Sequence, residues 1–157
     1  MNASLRQNII FGQEEDENKY ANHFFTALPT NVSHRRLREI IKACCLEPDL
    51  KMLPNGEETE IGEKGINLSG GQKARVSLAR AAYSDAEIVF MDDSLSAVDA
   101  YVGKTLLDTL LLNGPLSHKT RVLVTHALHV LDKTDYIYVM DEGVIIEQGT
   151  YSVRRGV

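Results

Sequence analysis

The stretch that decides the fold, residues 68–93, reads LSGGQKARVSLARAAYSDAEIVFMDD. A serine and two glycines stand before apolar residues at helical spacing, which predicts an amphipathic helix from Ser69 to Tyr83. The four apolar residues 88–91 predict a buried strand that ends at two aspartates. A helix and a strand in this succession are typical of an α/β protein.

Helical and strand patterns also alternate outward from this stretch. Upstream, residues 1–12 predict a short helix capped near Ser4, and residues 37–46 predict a second helix. Downstream, residues 101–112 predict a helix and residues 121–125 a strand, and two strands around Asp141-Glu142-Gly143 predict a hairpin. Strands that alternate with helices imply a sheet whose central strands are parallel.

The composition excludes several classes of protein. Of 157 residues, 43% are hydrophobic and 25% are charged, which is typical of a globular chain. The formal net charge of −5 provides no bulk attraction to nucleic acid. No apolar run approaches the ~20 residues that span a bilayer, and the N-terminus lacks a secretory pattern. The two cysteines, Cys44 and Cys45, are adjacent on a helical pattern, which favours buried thiols and a reducing compartment.

Each polar motif has two readings when taken alone. Ser69-Gly70-Gly71 is either a helix cap with a glycine-shaped turn or an anion site, since a helix N-terminus offers free N–H groups and partial positive charge. Asp92 and Asp93 form either a solvated turn or a pair in which one carboxylate holds Mg²⁺ and the other orients a water. His126 follows the strand at 121–125, and alone it favours a structural role.

The order of these motifs along the chain resembles that of a known protein family. LSGGQ, a helix, IVFMDD, SAVDA and a strand followed by THAL resemble the ATP-binding cassette (ABC) family of transporter ATPases. In that resemblance LSGGQ is the signature motif, IVFMDD the Walker B strand, SAVD the D-loop and His126 the switch histidine. The resemblance covers nearly the whole chain apart from residues 20–36 and the last six.

Finer features resemble one branch of that family. The stretches NIIFG, ACCLEPDLKMLPNGEETEIGEKGIN and DDSLSAVDAYVGK are similar to the first nucleotide-binding domain of multidrug-resistance-associated (subfamily C) exporters. Most ABC ATPases have Glu after the Walker B aspartate, whereas this half of subfamily C commonly has Asp, as at Asp93 here. Ser94 departs from the proline that is usual at its position.

The resemblance implies roles for the motif residues. Two cassettes sandwich two ATP molecules head to tail, and the residues that contact the γ-phosphate bound to the opposite cassette are Ser69, Gly70, Gly71 and Gln72. Asp92 holds Mg²⁺ in its own site, and Asp93 occupies the place of the catalytic base. Asp93 is one methylene shorter than Glu, so its carboxylate falls about 1 Å short of the attacking water, a misplacement that costs on the order of 100-fold.

The remaining roles concern coupling and partners. His126 contacts the γ-phosphate and the attacking water, and Asp99 lies at the seam between the cassettes. The implied partners are a second nucleotide-binding domain and the transmembrane domains of the same transporter, with no nucleic acid. The implied location is the cytoplasmic face of a membrane, and the cofactors are ATP and Mg²⁺.

The phosphate-loop pattern G-x-x-x-x-G-K-[ST] (Walker A) is absent from the 157 residues. The glutamine loop also lies upstream of this match in the family. We therefore expect a partial P-loop NTPase-like fold that cannot bind or hydrolyse ATP alone. Residues 1–67 are expected to be part of the helical subdomain, and residues 68–151 to hold the C-terminal half of the parallel-sheet core and its final hairpin.

Two segments depart from the family, and two other functions stay open. Residues 20–36 match no family segment and are expected to be an exposed, irregular insertion, with a translated intron as the hypothesis; the tail from Ser152 is consistent with read-through. The alternatives to an exporter cassette are a soluble ABC ATPase of the DNA-repair or translation type, and a non-enzymatic chain that docks on a full cassette.

Overall fold

The structure, a computed structural model, describes residues 3–13, 32–62 and 66–152. The chain divides into two compact units, Met1–Val124 and Thr125–Val157. The first unit has five α-helices in its described part: α1 (Leu5–Ile10), α2 (Val32–Ala43), α3 (Glu47–Met52), α4 (Gly70–Tyr83) and α5 (Ala100–Leu106). Its described strands are β1 (Ala3–Ser4), β2 (Glu60–Ile61), β3 (Ile88–Asp92) and β4 (Thr120–Val124).

Helix α1 confirms the predicted short helix capped near Ser4. The Ser4 hydroxyl accepts a hydrogen bond from the Gln7 amide, and the Gln7 side chain accepts one from the Ser4 amide. This reciprocal pair satisfies two of the N–H groups that a helix start leaves without partners. The helix ends at Phe11, whose φ of 48° is left-handed. Just before α1, β1 pairs antiparallel with β2.

Helix α2 begins at Val32, earlier than the predicted start at residue 37. The expectation of an irregular segment through residue 36 is therefore wrong for its last five positions. Arg36, within the added turn, makes a long-range contact that a local pattern does not show. The Arg36 guanidinium lies 4.8 Å from the centre of the Tyr83 ring and donates to the Tyr83 carbonyl at 2.8 Å. Residues 20–31 lie outside the described residues.

Helix α4 confirms the predicted helix from Ser69 to Tyr83, with Ser69 as its N-cap. It packs against α1 and α2, and its buried side chains are Val76, Leu78, Ala79, Ala82 and Tyr83. Arg80 fastens it to α1, because the guanidinium Nε donates to the Asn8 carbonyl at 2.7 Å. The same guanidinium lies over the Phe11 ring, 4.4 Å from its centre. The helix therefore lies at the centre of the first unit.

Strands β3 and β4 pair in parallel, with Ile88 opposite Thr120 and Asp92 opposite Val124, as the alternating pattern predicted. The prediction that β3 is buried on both faces is wrong. Val89 is 5% exposed and packs in the core, whereas Phe90 is 78% exposed. The exposed face continues through Ile88, Val122 and Val124. Within the described residues no element covers it, so only one face of each strand packs as a core strand would.

The predicted helix at 101–112 is confirmed but changes its winding. After α5, residues Leu107–Leu112 form a wider turn, in which the Asn113 amide reaches back to the Asp108 carbonyl at 2.9 Å. Leu106 and Leu110 from this segment are fully buried. They join one hydrophobic core whose members on other elements include Leu5, Ile9, Leu37, Ile40, Leu46, Val76, Ala79 and Met91.

The second unit holds a 3₁₀ segment, Leu128–Lys133, and an antiparallel hairpin formed by β5 (Ile137–Asp141) and β6 (Val144–Gly149). The hairpin confirms the sequence prediction. Glu142 and Gly143 connect the strands, both with positive φ (45° and 79°), which suits the twist of a two-residue hairpin turn. Val130 and Ile137 are the buried side chains of this unit among those described. Among the helices that the structure describes, none has both the length and the apolar composition needed to cross a bilayer.

Candidate functional site

The first part of the site is the start of α4, residues Ser69–Gln72, here called the signature segment. The Ser69 hydroxyl accepts from the Gln72 amide at 3.2 Å, and the Gln72 side-chain oxygen accepts from the Ser69 amide at 2.8 Å. Ser69 and Gly70 are exposed. The amides of Gly70 and Gly71 have no hydrogen-bond partner within the described residues. The segment thus presents free N–H groups and a hydroxyl at the positive end of a helix, which suits an anion.

A buried carboxylate forms hydrogen bonds with residues at the start of α4. Asp49, from α3, is 5% exposed. Its Oδ1 accepts from Gln72 Nε2 at 2.8 Å, and its Oδ2 accepts from Arg75 Nη1 at 2.5 Å. Arg75 also donates to the Cys45 carbonyl and, from Nε at 3.3 Å, to the Gly71 carbonyl. We call Asp49, Gln72 and Arg75 the anchor, because together they join α3 to the first turn of α4.

The loop between β3 and α5 touches the signature segment directly. A Cβ atom added to Gly71 would lie 2.9 Å from the Ala97 carbonyl oxygen, closer than real Cβ contacts. A glycine is therefore needed there for the two backbones to approach each other. Asp99 caps α5, because its carboxylate accepts from the amides of Tyr101 and Val102, each at 3.0 Å. The segment from Ala97 to Asp99 thus connects the signature segment to the cap of the next helix.

The second part of the site is the carboxyl end of β3, residues Asp92–Asp93, here called the strand end. Asp93 has a φ of 45°, a left-handed conformation that is uncommon outside glycine and that clusters at functional sites. Its amide donates to the Val124 carbonyl at 2.8 Å, and its carbonyl accepts from the Ser96 hydroxyl at 2.8 Å. These bonds to β4 and to the following turn hold the strained residue in place.

The carboxylates of the strand end are open to a ligand. Within the described part of the chain, no side chain donates a hydrogen bond to Asp92 or Asp93, and no hydrogen bond joins Ser69 to Asp92. Nor does any group of three or more metal-binding side chains come together among the described residues. Mg²⁺ is usually held by one or two carboxylates together with water and substrate phosphates. Asp92, which is exposed, therefore fits the single protein ligand of such an ion.

The remaining predicted site residue, His126, lies in the second unit and is exposed. Beside it, the Ala127 amide donates to the Thr125 hydroxyl at 3.0 Å. The structure thus places the signature segment, Asp92, Asp93 and Asp99 in the first unit, and His126 at the start of the second.

Sequence reasoning missed two residues of this site, Asp49 and Arg75. Both side chains are largely buried, and they pair across 26 positions of sequence. A carboxylate after a proline in a short helix is an ordinary N-terminal residue, so no local pattern marks it. The one available signal is Arg75, a basic residue among the polar positions of an amphipathic helix. This signal does not indicate which residue pairs with Arg75.

The opposite end of α4 is also held by cations. Arg36 donates to the Tyr83 carbonyl, and the Lys119 ammonium donates to the Ser84 carbonyl. Cations at a helix C-terminus complement the partial negative charge there. Burial, with the charge of Arg36 nearby, lowers the pKa of Lys119. Both residues line an open cavity of about 440 Å³, and both already have protein partners there.

The predicted helix through residue 46 is wrong at its C-terminal end: α2 ends at Ala43, and the adjacent thiols lie in the following turn, where Cys45 has a left-handed φ of 54°. Cys44 is fully buried and Cys45 is half-buried. Burial raises the pKa of the Cys44 thiol well above its usual range, and the neighbouring Cys45 raises it further. Burial also raises the pKa of Cys45, while the charge of Arg75 lowers it. Both shifts leave less thiolate at a given pH than a free thiol has.

Comparisons with known proteins agree with the motif order. The sequence profile described as ABC transporter matches residues 3–96. The chain is 50% identical over 153 residues to ABC transporter C family member 8 of Dictyostelium discoideum, with 96% of this chain and 8% of that protein covered. It is 51% identical over 152 residues to ATP-binding cassette sub-family C member 2 of Mus musculus, with 96% of this chain and 9% of that protein covered.

A similar match is found to ATP-binding cassette sub-family C member 3 of Homo sapiens, at 46% identity over 151 residues. That match covers 96% of this chain and 9% of the human protein. The chain thus spans about a tenth of the length of the curated relatives it matches.

Proposed function

Because this chain belongs to the ABC transporter family, we propose that it forms part of a nucleotide-binding cassette that couples ATP hydrolysis to transport in a subfamily C exporter. The observation that carries this proposal is the signature segment. It presents the Ser69 hydroxyl and two glycine amides at the exposed start of a long helix, in the same unit as a strand end with two open carboxylates. The names of the relatives favour a transporter over a soluble ABC ATPase.

The signature segment supplies donors to an anion. The Ser69 hydroxyl and the amides of Gly70 and Gly71 are proposed to bind the γ-phosphate of ATP held by a second cassette, with Gln72 fixing the turn. Because the donors are fixed before the ligand arrives, little reorganisation is needed when negative charge develops on the transferring phosphoryl group. This part of the site therefore acts in trans.

The strand end is proposed to serve the nucleotide of its own cassette. Asp92 would hold Mg²⁺, which would neutralise charge on the phosphates of the bound ATP. Asp93 is proposed to orient the attacking water, and His126 is proposed to contact the γ-phosphate. Since the Asp93 side chain is one methylene shorter than Glu, its carboxylate falls short of the water, and this site turns over slowly. Asp99 couples the two sites through the loop that touches Gly71.

The exposed face of the β3–β4 sheet supports a role as part of a larger cassette. Ile88, Phe90, Val122 and Val124 form a continuous apolar surface, of the kind that marks an interaction site. We propose that further cassette structure covers this face and brings the phosphate-binding loop to the strand end. On this proposal residues 1–67 are part of the helical subdomain, residues 68–151 are core, and the chain alone neither binds nor hydrolyses ATP.

A chimera tests the proposal directly. In the mouse sub-family C member 2, the matched residues are replaced by those of this chain, and ATP hydrolysis is measured in membranes with and without Ser69→Arg. We expect the chimera to hydrolyse ATP and Ser69→Arg to abolish most of that activity, because the side chain fills the anion position.

The matched control is Ser77→Arg, which places the same side chain on an exposed position of the same helix. This variant is expected to keep the activity of the chimera. Equal activity of the Ser69→Arg and Ser77→Arg chimeras would contradict the proposed role of the signature segment.

A further inference from the structure

Asp49 gives the Gln72 side chain a second partner, one that fixes the opposite end of its amide from the Ser69 N–H group. We infer that Asp49 is a positioning residue for the trans ATP site: it sets the orientation of the Gln72 amide and thereby holds Ser69 ready for the phosphate. The inference rests on the proposed function for its consequence, while its geometry is independent of that function.

The first step is the chemistry of the Asp49–Gln72 contact. An ionised carboxylate accepts hydrogen bonds and donates none, so it selects the NH₂ group of the Gln72 side chain as its partner. Nε2 lies 2.8 Å from Asp49 Oδ1, and the side-chain oxygen consequently faces the Ser69 amide at 2.8 Å. Without this acceptor-only partner, the Ser69 amide alone would select the orientation of the Gln72 side chain, and the NH₂ group would lose its acceptor.

The second step concerns the Ser69 hydroxyl. The closed reciprocal cap keeps the Ser69 oxygen as the acceptor for the Gln72 amide at 3.2 Å. With that lone pair in use, the hydroxyl hydrogen is left to donate outward from an exposed residue. Asp49 thus reaches the phosphate site through Gln72 and Ser69 without touching the nucleotide, since it is buried behind the helix.

The third step is the charge of Arg75. Its guanidinium binds both oxygens of Asp49 and also the carbonyls of Cys45 and Gly71. The ion pair keeps the carboxylate ionised in a buried place, where an unpaired charge is unfavourable. Arg75 therefore keeps Asp49 an acceptor, and Asp49 keeps the Gln72 amide in one orientation.

A purely structural role for Asp49 makes a different prediction. If the anchor only joined α3 to α4, its loss would lower the thermal stability of the cassette and impair both ATP sites together. A positioning role impairs the partner's site selectively, and it acts through Gln72. The test therefore needs one readout on geometry and one on the individual sites.

The geometric readout is hydrogen–deuterium exchange in the chimeric transporter, followed in peptides that cover residues 68–73. Asp49→Asn should speed exchange of the Ser69 amide, because the isosteric side chain offers both a donor and an acceptor to Gln72. The control Glu47→Gln removes the same charge from an exposed residue of the same helix and should leave exchange unchanged. Unchanged exchange in Asp49→Asn would overturn the inference whatever the function of the chain.

The functional readout is nucleotide trapping at each site of the chimera. We expect Asp49→Asn to reduce trapping at the partner's site on the order of tenfold, the loss typical when a residue that orients a binding group is changed, with little effect at its own site. Asp49→Glu keeps an acceptor-only side chain and should restore part of the loss. In a Gln72→Ala background, Asp49→Asn should have little further effect, because residues that act through one another are not additive.

The remaining outcomes separate the two claims. Additive losses in the double variant, or equal losses at both sites, would overturn the positioning role and leave a structural one. If Ser69→Arg itself fails to impair the partner's site, the proposed function fails, and the exchange result still decides whether Asp49 orients Gln72.

Discussion

The start of α4 and the carboxyl end of β3 differ in how they are supported. Side chains of the chain itself hold the start of α4, whereas no described side chain donates a hydrogen bond to the two carboxylates at the end of β3. The signature segment has the reciprocal cap, the buried Asp49 and the ion pair with Arg75 behind it. Among the described residues, the hydrogen bonds that fix the strand end run through its backbone, from the Asp93 amide to Val124 and from Ser96 to the Asp93 carbonyl. One face of its sheet is open.

The difference matches the two directions in which the site is proposed to act. A segment that serves a neighbour's nucleotide must keep its shape before the neighbour arrives, and preorganised donors do so. A segment that binds the nucleotide of its own cassette can have carboxylates without protein partners, because Mg²⁺ held with the phosphates would be their partner. On this proposal, the donors that act in trans are already in place in the chain, whereas the carboxylates that act in cis depend on structure that covers the β3–β4 face.

Loss of the cation of the anchor should have the largest effect on stability. Arg75→Met keeps much of the side-chain volume but leaves the Asp49 carboxylate buried and unpaired, and breaking such a pair costs about 3–5 kcal/mol. Urea unfolding of the chimeric cassette measures this loss. The control Lys73→Met removes a charge from an exposed position of the same helix and should change little. Similar stabilities of the two variants would show that the anchor is not a buried ion pair in solution.

Substitutions on the two faces of β3 should differ in whether their effect depends on the rest of the cassette. Met91→Ala removes a buried side chain and should cost about 2–5 kcal/mol in the chain and in the chimera alike. Phe90→Ser should reduce aggregation of the 157-residue chain, because that side chain is 78% exposed. In the chimera, Phe90→Ser should instead lower the melting temperature, since the face is then covered. Equal effects of Phe90→Ser in both settings would contradict the proposed cover.

The neighbouring glycines of the signature segment form a matched pair. Gly71→Ala places a Cβ atom against the Ala97 carbonyl and should cost about 1–3 kcal/mol through the backbone shift it forces. Gly70→Ala meets nothing within 4 Å and should be neutral or stabilise by about 0.4–1 kcal/mol. Thermal unfolding of the two chimeras distinguishes them. A loss of stability in Gly70→Ala as large as that in Gly71→Ala would disprove the close contact with the loop.

The thiols of Cys44 and Cys45 should show the smallest effect, a difference in alkylation rate. Because a raised pKa leaves less thiolate at a given pH, both should react more slowly with iodoacetamide than a free thiol does. The rate should rise with pH for half-buried Cys45, while Cys44 resists up to pH values that unfold the chain. Rates from pH 7 to 9 in Cys44→Ala and Cys45→Ala, each leaving one thiol, measure this. Faster labelling of Cys44 than Cys45 would contradict the burial of Cys44.

Local patterns predicted the parts of the fold that depend on local contacts. The cap of α4 joins Ser69 to Gln72, three positions away, and the turn of the hairpin needs only residues that tolerate positive φ. Short strands between helices predicted the parallel pair, because crossover connections have few alternatives.

Long-range contacts account for the features of the fold that local sequence patterns did not predict. Helix α2 starts early where Arg36 meets Tyr83, and the anchor joins residues of two helices, so neither has a periodic signal. The apolar run of β3 alone does not decide how many faces are buried, because it shows what a strand can bury and not whether a cover is present. The strained backbone of Asp93 also depends on its bond to Val124 on another strand.

The central claim, that the signature segment acts in trans and the strand end in cis, is tested most directly by site-resolved trapping of a photoreactive ATP analogue in the chimera. The labelled cassette is identified from its peptides. The account predicts that Ser69→Arg abolishes turnover at the partner's site, and that Asp93→Glu raises turnover at its own site by as much as about 100-fold, since it restores the missing methylene. Loss of turnover at the site of Asp93 alone in Ser69→Arg, or an unchanged rate in Asp93→Glu, would contradict it.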